Sequence, residues 1–299
     1  MSTVTALLTE ISFVPSTDHL VFTGDMISKG PSSPGVIDLA IQHNASCVRG
    51  NHEDRILLTH RDVETHTLSS SSQRASGRKG GHDDGNPAIE LTGPSETDDY
   101  IDEPIASTLP MHGNPAEVPH ELDAEHFPVG PASDHDLATT FTDLQLRYLK
   151  SCPVLLHLGT LPSLGPTTVV HAGLVPGVSL AQQDPVGAMN MRTLDLETYV
   201  PSPDSNGGAT WSRVWEKFQK SLPANERSTV VYGHDSKKGL QIRKWTKGLD
   251  SGCVMGGKLT ALVYDRKTLA HPGEVQVVSV PCTDHRPKRG GLSIELGQS

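Results

Sequence analysis

Aromatic side chains make up only 4% of this 299-residue chain, so its core must rest on Val, Leu, Ile and Ala rather than on stacked rings. Cysteine is also sparse. Cys47, Cys152, Cys253 and Cys282 are scattered without a Cys-x-x-Cys spacing. Nothing in that pattern demands a disulfide or a zinc knuckle, so a reducing compartment is the default expectation. No apolar run approaches membrane-spanning length, and no charged-then-apolar leader opens the chain. It therefore reads as soluble and, by default, cytoplasmic. No internal repeat is found. The length suits one large domain or two small ones, with enough chain to bury a core.

Charge is uneven. The formal net charge is −10, yet residues 62–136 alone hold 16 Asp/Glu against 3 Lys/Arg, leaving 22 Lys/Arg against 19 Asp/Glu elsewhere. A mildly basic body with an acidic insert suits an anionic substrate better than the global charge suggests. The insert is rich in Ser, Gly, Pro and Asp, has little to bury, and is expected to be mostly disordered. Its histidines, His66, His82, His112, His120, His126 and His135, show no ligand spacing and read as solvated.

Outside the insert, β–α alternation points to a layered α/β sheet. Val4, Leu7, Leu8 and Ile11 fall at helical spacing. His19 to Thr23 reads as a buried strand, Gly35 to Ile41 as a helix, Ser46 to Val48 as a strand and Asp54 to His60 as a helix. Order is expected to resume near Leu137, with Phe141, Leu144 and Tyr148 on one helical face. Thr167 to Val170 and Ser228 to Tyr232 read as strands. The stripe Trp211, Val214, Trp215, Phe218 and Leu222 predicts a helix over 209–222 packed on the sheet. Lys258 to Asp265 and Glu274 to Val280 are expected to pair and close the sheet. The predicted division is 1–61 and 137–270 as two parts of one domain, 62–136 as the insertion, and 271–299 as a closing strand and flexible tail.

Four strands end on a metal-type ligand beside a glycine: Gly24-Asp25, Gly50-Asn51-His52-Glu53, His171-Ala172-Gly173 and Gly233-His234. A two-metal hydrolase needs hard oxygen and imidazole ligands, one of them a bridging carboxylate. Asp25 can bridge, Asn51 adds an amide oxygen without charge, and His171 and His234 add imidazole nitrogens. Open α/β sheets gather such groups at the carboxyl ends of their strands. Metal ions would bring a trapped water to a neutral pKa, and the resulting hydroxide would attack phosphorus. His52 could then protonate the leaving oxygen. Lys29, Arg49 and Arg192 are candidates to neutralise phosphoryl oxygens. The segment Lys237-Lys238…Arg243-Lys244…Lys247 reads either as a solvated face or as a rail for a polyanion. Trp245 is its lone aromatic, so nucleic-acid binding by base stacking is not favoured.

These tracts, with Lys29-Gly30-Pro31 and Arg49, resemble the calcineurin-like metallophosphoesterases. Met191-Arg192 and Leu249-Asp250-Ser251-Gly252-Cys253…Gly256-Gly257 place the resemblance on the diadenosine-tetraphosphatase-like branch, and the chain is similar to the fungal zinc-dependent endopolyphosphatases of that branch. The resemblance implies an α-β-β-α mixed-sheet sandwich and two divalent ions (zinc, manganese, iron or cobalt). It implies a polyanionic phosphate substrate and, from the fungal members, a vacuolar location. It makes Asp25 the bridge, Asn51, His171 and His234 the rest of the second metal site, and His52 the acid. Lys29 would replace the phosphate-binding arginine of the protein phosphatases, with Arg192 a second phosphate contact. Two departures stand out. The opening Gly-Asp-x-His-Gly motif has no counterpart, so the fold is expected to lack its first strand and the first metal site to be incomplete. Ser28 stands where the protein phosphatases place an Asp that orients the catalytic His. The resulting expectation is a metallophosphoesterase cleaving phosphoanhydride bonds in polyphosphate or dinucleoside polyphosphates. The alternatives are a Ser/Thr protein phosphatase and a catalytically impaired scaffold.

Overall fold

The computed structural model describes residues 2–62, 131–264 and 275–285. Most of the expected insertion, with His66, His82, His112, His120 and His126, lies outside the described residues, as does the tail beyond 285. Helix α1 (Thr3–Glu10) is capped by Ser2, whose hydroxyl accepts the Thr5 N–H. Strand β1 (Val21–Phe22), helix α2 (Ser33–Gln42), strand β2 (Ser46–Cys47) and helix α3 (residues 51–62) follow. Beyond the undescribed stretch come α4 (Pro131–Ala138) and α5 (Asp143–Ser151), then strands β3 (Leu155–Leu161) and β4 (Gly165–Val170). Next are α6 (Pro185–Asn190), the short strands β5 (Thr193–Leu194), β6 (Pro201–Ser202) and β7 (Ala209–Thr210), and α7 (Trp211–Ser221). The chain continues through β8 (Thr229–Tyr232), β9 (Gln241–Ile242), β10 (Thr246–Gly248), β11 (Lys258–Tyr264) and β12 (Val275–Pro281).

The central sheet has the order β3-β4-β8-β10-β9. β4, β8 and β10 run parallel, while the edge strands β3 and β9 are antiparallel to their neighbours. This is a mixed α/β sheet, as expected. β1 and β2 pair in parallel beside it, and β5 joins β6 and β7 in a small antiparallel sheet. Val169, Val170, Val230 and Val231 are buried, because parallel strands are covered on both faces. On one side Trp211 and Trp215 of α7 pack with Val170, Leu174, Val230 and Tyr232, the Trp211 and Tyr232 rings 4.7 Å apart and edge-on. A second cluster of Ile27, Ile37, Ile56, Phe141 and Leu149 binds α2, α3 and α5 together.

Four expectations need correction. Phe141, Leu144 and Tyr148 do not share one helical face. Phe141 sits in the link between α4 and α5, and a reciprocal cap between Thr142 and Gln145 starts a new helix there, leaving Leu144 54% exposed. The expected insertion boundary at residue 136 falls inside a helix: α4 begins at Pro131 and buries Asp134. β11 and β12 do pair antiparallel, but as a separate two-stranded sheet rather than as the closing strands of the main one. Finally, all four cysteines are paired, Cys47 with Cys152 and Cys253 with Cys282, with Cα separations of 5.2 and 5.1 Å. Sequence spacing missed both bonds because each joins residues that only the fold brings together.

Candidate metal centre

Asp25, Asn51, His171 and His234 stand just past the carboxyl ends of β1, β2, β4 and β8, and the sheet brings them to one crevice. The Nε2 of His171 lies 3.2 Å from Asp25 Oδ1, 3.1 Å from Asn51 Oδ1 and 3.2 Å from His234 Nδ1. Among the described residues, Asp25, His171 and His234 form the one group of three acidic, His or Cys side chains whose donor atoms lie close enough to share a cation, all within 4.8 Å of one another.

The outward nitrogens explain why this cluster fits a metal ion. His171 Nδ1 lies 2.8 Å from the Thr23 carbonyl, and His234 Nε2 lies 3.0 Å from the Asn190 carbonyl. A carbonyl only accepts, so each of these nitrogens carries its ring's proton. In the neutral rings, the lone pairs of His171 Nε2 and His234 Nδ1 then face each other across the crevice, beside a carboxylate and an amide oxygen. Four electron-pair donors turned inward, each imidazole oriented by an outer hydrogen bond, is the arrangement a divalent cation requires.

The electrostatics agree. Burial opposes ionisation of Asp25, yet His171, His52 and Lys29 together hold its carboxyl well below the usual range. Burial disfavours the charged form of His171, but the Asp25 carboxylate, the Thr23 carbonyl and Glu53 outweigh it and raise the ring's pKa. His234 moves the other way, pushed well down by burial and by the charges of His171 and Arg192.

The backbone is forced into shape around these groups. Asp25 and His234 occupy the left-handed region, with φ of 56° and 68°. Gly24, with φ of 86°, has no room for a side chain: a Cβ there would lie 2.7 Å from His171 Nδ1 and 2.8 Å from the Gly50 nitrogen. Glu53 ties these turns together. It is fully buried, and its carboxylate accepts the Asp25 N–H at 2.8 Å, the Met26 N–H at 2.6 Å and the Gly50 N–H at 2.9 Å. Burial, then the charge of Asp25, raises its pKa.

The remaining expected site residues divide. His52 is buried, with Nε2 3.7 Å from Asp25 Oδ2 and its backbone N–H 3.3 Å from Asp25 Oδ1. Lys29 Nζ reaches to 3.9 Å from Asp25 Oδ2 with its side chain about half exposed. Arg192 is half-buried, donates to the Pro203 carbonyl and acts through its charge on His234. Arg49 turns elsewhere: its guanidinium faces Asp54 at 3.4 Å and donates to the Lys150 carbonyl at 3.1 Å, fastening α5 beside the site. The basic segment is largely occupied internally. Lys238 pairs with Asp235 at 2.9 Å, Lys247 donates to the Arg243 carbonyl, and Lys244 lies over the Trp245 ring.

Sequence reasoning gave no role to four groups that shape the site. Glu53 was visible in the tract Gly50-Asn51-His52-Glu53. Asp250, just past β10, was visible in the tract Leu249-Asp250-Ser251-Gly252-Cys253; burial and the charge of Asp25 raise its carboxyl. Arg55 lies with Nη2 3.0 Å from His52 Nδ1, and Asp134 lies with Oδ2 2.6 Å from Arg55 Nε. Arg55 is three residues past His52, one helical turn, and could have been found. Asp134 is 79 positions from Arg55 and could not.

Residues 2–240 match the family model for calcineurin-like phosphoesterases. A zinc-dependent endopolyphosphatase of Saccharomyces cerevisiae is 24% identical over 276 residues, covering 88% of this chain and 72% of the relative. An asymmetrical bis(5'-nucleosyl)-tetraphosphatase of Anoxybacillus flavithermus is 22% identical over 280 residues, covering 92% and 83%. A crystal structure of a candidate diadenosine tetraphosphatase superposes with a TM-score of 0.60 at 23% identity, covering 94% of this chain and 88% of that one. That likeness establishes the fold.

Proposed function

The chain belongs to the calcineurin-like phosphoesterase family, and from that membership we propose that it hydrolyses phosphoanhydride bonds in inorganic polyphosphate or dinucleoside polyphosphates. The observation that carries the reading is the convergence of Asp25, Asn51, His171 and His234, with both inward imidazole nitrogens free of their ring protons. Divalent ions held there would neutralise phosphoryl charge and supply a water of lowered pKa. The chain's own residues do the rest. Asp25 and Asn51 fix the position of the site against the start of α3. Lys29, on a mobile stem beside Asp25, can swing onto a phosphoryl oxygen, and Arg192 adds positive charge on the His234 side. His52 Nε2 faces the same space and can offer a hydrogen bond to the departing oxygen. Substrate recognition is assigned to Lys29 and Arg192, whose charges act on Asp25 and His234 of the cluster.

The test is hydrolysis of tripolyphosphate, diadenosine tetraphosphate and a phosphoserine peptide with zinc or manganese. His234→Ala is expected to lose at least about a hundredfold in turnover together with bound ion. Normal turnover in that variant sinks the reading, and a preference for the peptide would favour a Ser/Thr protein phosphatase. A second reading has its own support: the described residues contain one cation cluster rather than two. A phosphate-binding module with a single ion would show one metal per chain and no turnover on any of the three substrates. The two disulfides suit an oxidising compartment rather than the reducing cytoplasm, so we place the mature protein there.

A further inference from the structure

We propose that Arg55, clamped by Asp134, is a positioning residue that fixes the tautomer of His52 and thereby suits the site to leaving groups that depart as stable anions. The inference rests on the phosphoesterase reading for its substrate class, but not for its geometry. Arg55 Nη2 lies 3.0 Å from His52 Nδ1. A guanidinium nitrogen is a donor only. Two donors do not face each other at that distance, so Nδ1 accepts, and the proton of the ring sits on Nε2. That nitrogen faces Asp25 and the metal cluster.

Arg55 is itself held from behind. Its Nε lies 2.6 Å from Asp134 Oδ2 and its Nη2 lies 3.3 Å from Asp134 Oδ1. Asp134 is buried on α4, so the clamp does not depend on a solvent-exposed side chain. Ser28 plays no part in orienting the imidazole: its hydroxyl is buried without a hydrogen-bond partner, and its N–H donates to Ser33. An arginine therefore stands behind the histidine, where a carboxylate would instead have made Nδ1 the donor and favoured a cationic ring.

The consequence is chemical. A neutral imidazole with its proton on Nε2 is a hydrogen-bond donor of modest acidity, able to steady a developing negative charge but poorly able to surrender a proton. In hydrolysis of an anhydride, a water oxygen bonds to phosphorus as the bridging P–O bond breaks. The electron pair of that bond stays on the departing phosphate, and the proton of the water passes to solvent. The departing phosphate is stable as an anion and needs only the hydrogen bond. An alkyl ester would release an alkoxide, which needs a full proton. The structure thus assigns this site to phosphoanhydrides over serine or threonine esters.

The decisive measurement needs no turnover. Nitrogen NMR of the full chain with 15N-labelled histidine, the His52 signals assigned by their loss in His52→Gln, should show at pH 7 a protonated Nε2 and an unprotonated Nδ1. A protonated Nδ1 in the wild-type chain overturns the proposal. Arg55→Met should turn the single tautomer into an exchanging mixture, and Arg55→Lys, which keeps a donor, should restore it. In kinetics, wild type should favour tripolyphosphate over a phosphoserine peptide by about a hundredfold or more in kcat/KM, the scale of an absent general acid. Arg55→Met should lower kcat on tripolyphosphate about tenfold with KM little changed. Equal rates on the two substrates overturn the substrate assignment. A chain that hydrolyses neither overturns the phosphoesterase reading, while the tautomer still decides the role of Arg55.

Discussion

Glu53 shows how much of the site depends on one side chain spent wholly on backbone N–H groups. Both of its oxygens are occupied by N–H donors from the two turns that carry Asp25 and Asn51. In Glu53→Gln an amide NH2 must replace one acceptor oxygen and face at least one of those donors. We expect a loss of about 2–3 kcal/mol in stability, read by urea unfolding, with weaker ion binding. Unchanged stability would mean that the turns hold themselves. His52 gives a pH-dependent counterpart in the ion-free protein. Burial first, then Lys29, Arg55 and His171, push its pKa from 6.5 to about 4. The unfolded chain therefore takes up this proton first as pH falls. The stabilisation contributed by the neutral ring is complete above about pH 6.5 and is lost toward pH 4, at ~1.4 kcal/mol per pH unit. His171, whose pKa is raised, has the opposite sign: its contribution is complete below the unfolded value and fades as pH rises through the folded one. Unfolding at pH 7 and pH 5 should therefore show a larger acid loss in wild type than in His52→Gln. The four cluster residues were legible in the sequence because each ends a β-branched run beside a glycine. The partners that orient them were not. Two are the backbone carbonyls of Thr23 and Asn190, and the Asp134 that holds Arg55 against His52 comes from a distant helix.

At the scale of elements, the reliable signal was amphipathic spacing. Trp211, Val214, Trp215 and Phe218 predicted α7, and the helix does turn Trp211 and Trp215 into the sheet. Trp215→Ala should cost about 3–5 kcal/mol, measured by chemical denaturation, while leaving the tautomer of His52 intact. A smaller loss would place Trp215 at the margin of the core. The signal failed where capping overrode it. Phe141, Leu144 and Tyr148 suggest one continuous helix, but Thr142 and Gln145 satisfy each other and restart the chain, so Phe141 is buried from a link rather than from a helix. β3 was missed because its inward and outward residues do not alternate cleanly, being interrupted by an irregularity between His157 and Gly159. The separate pairing of β11 and β12 was also illegible, since a strand's sequence does not state which sheet it joins.

At the scale of the whole molecule, the scattered cysteines carry an organisation that no spacing rule could reveal. Cys47 ends β2, three residues before Gly50, and Cys152 caps α5, so their bond ties the segment bearing Asn51 to the body beyond residue 131. Closing a loop of 105 residues should contribute about 4–5 kcal/mol by loop entropy alone. The paired variant Cys47→Ser/Cys152→Ser should unfold at correspondingly lower urea concentration, and a midpoint equal to wild type would remove this bond from the account of stability. Its position has another result. Asp25 and Asn51 lie on one side of residues 63–130, and His171 and His234 lie on the other. Were a protease to nick the chain inside that stretch, the two halves would stay tethered through sulfur, each carrying half of the ion cradle. Such a nicked species should run as one band on a non-reducing gel, keep its bound ion, and part into two pieces only when a thiol reductant is added.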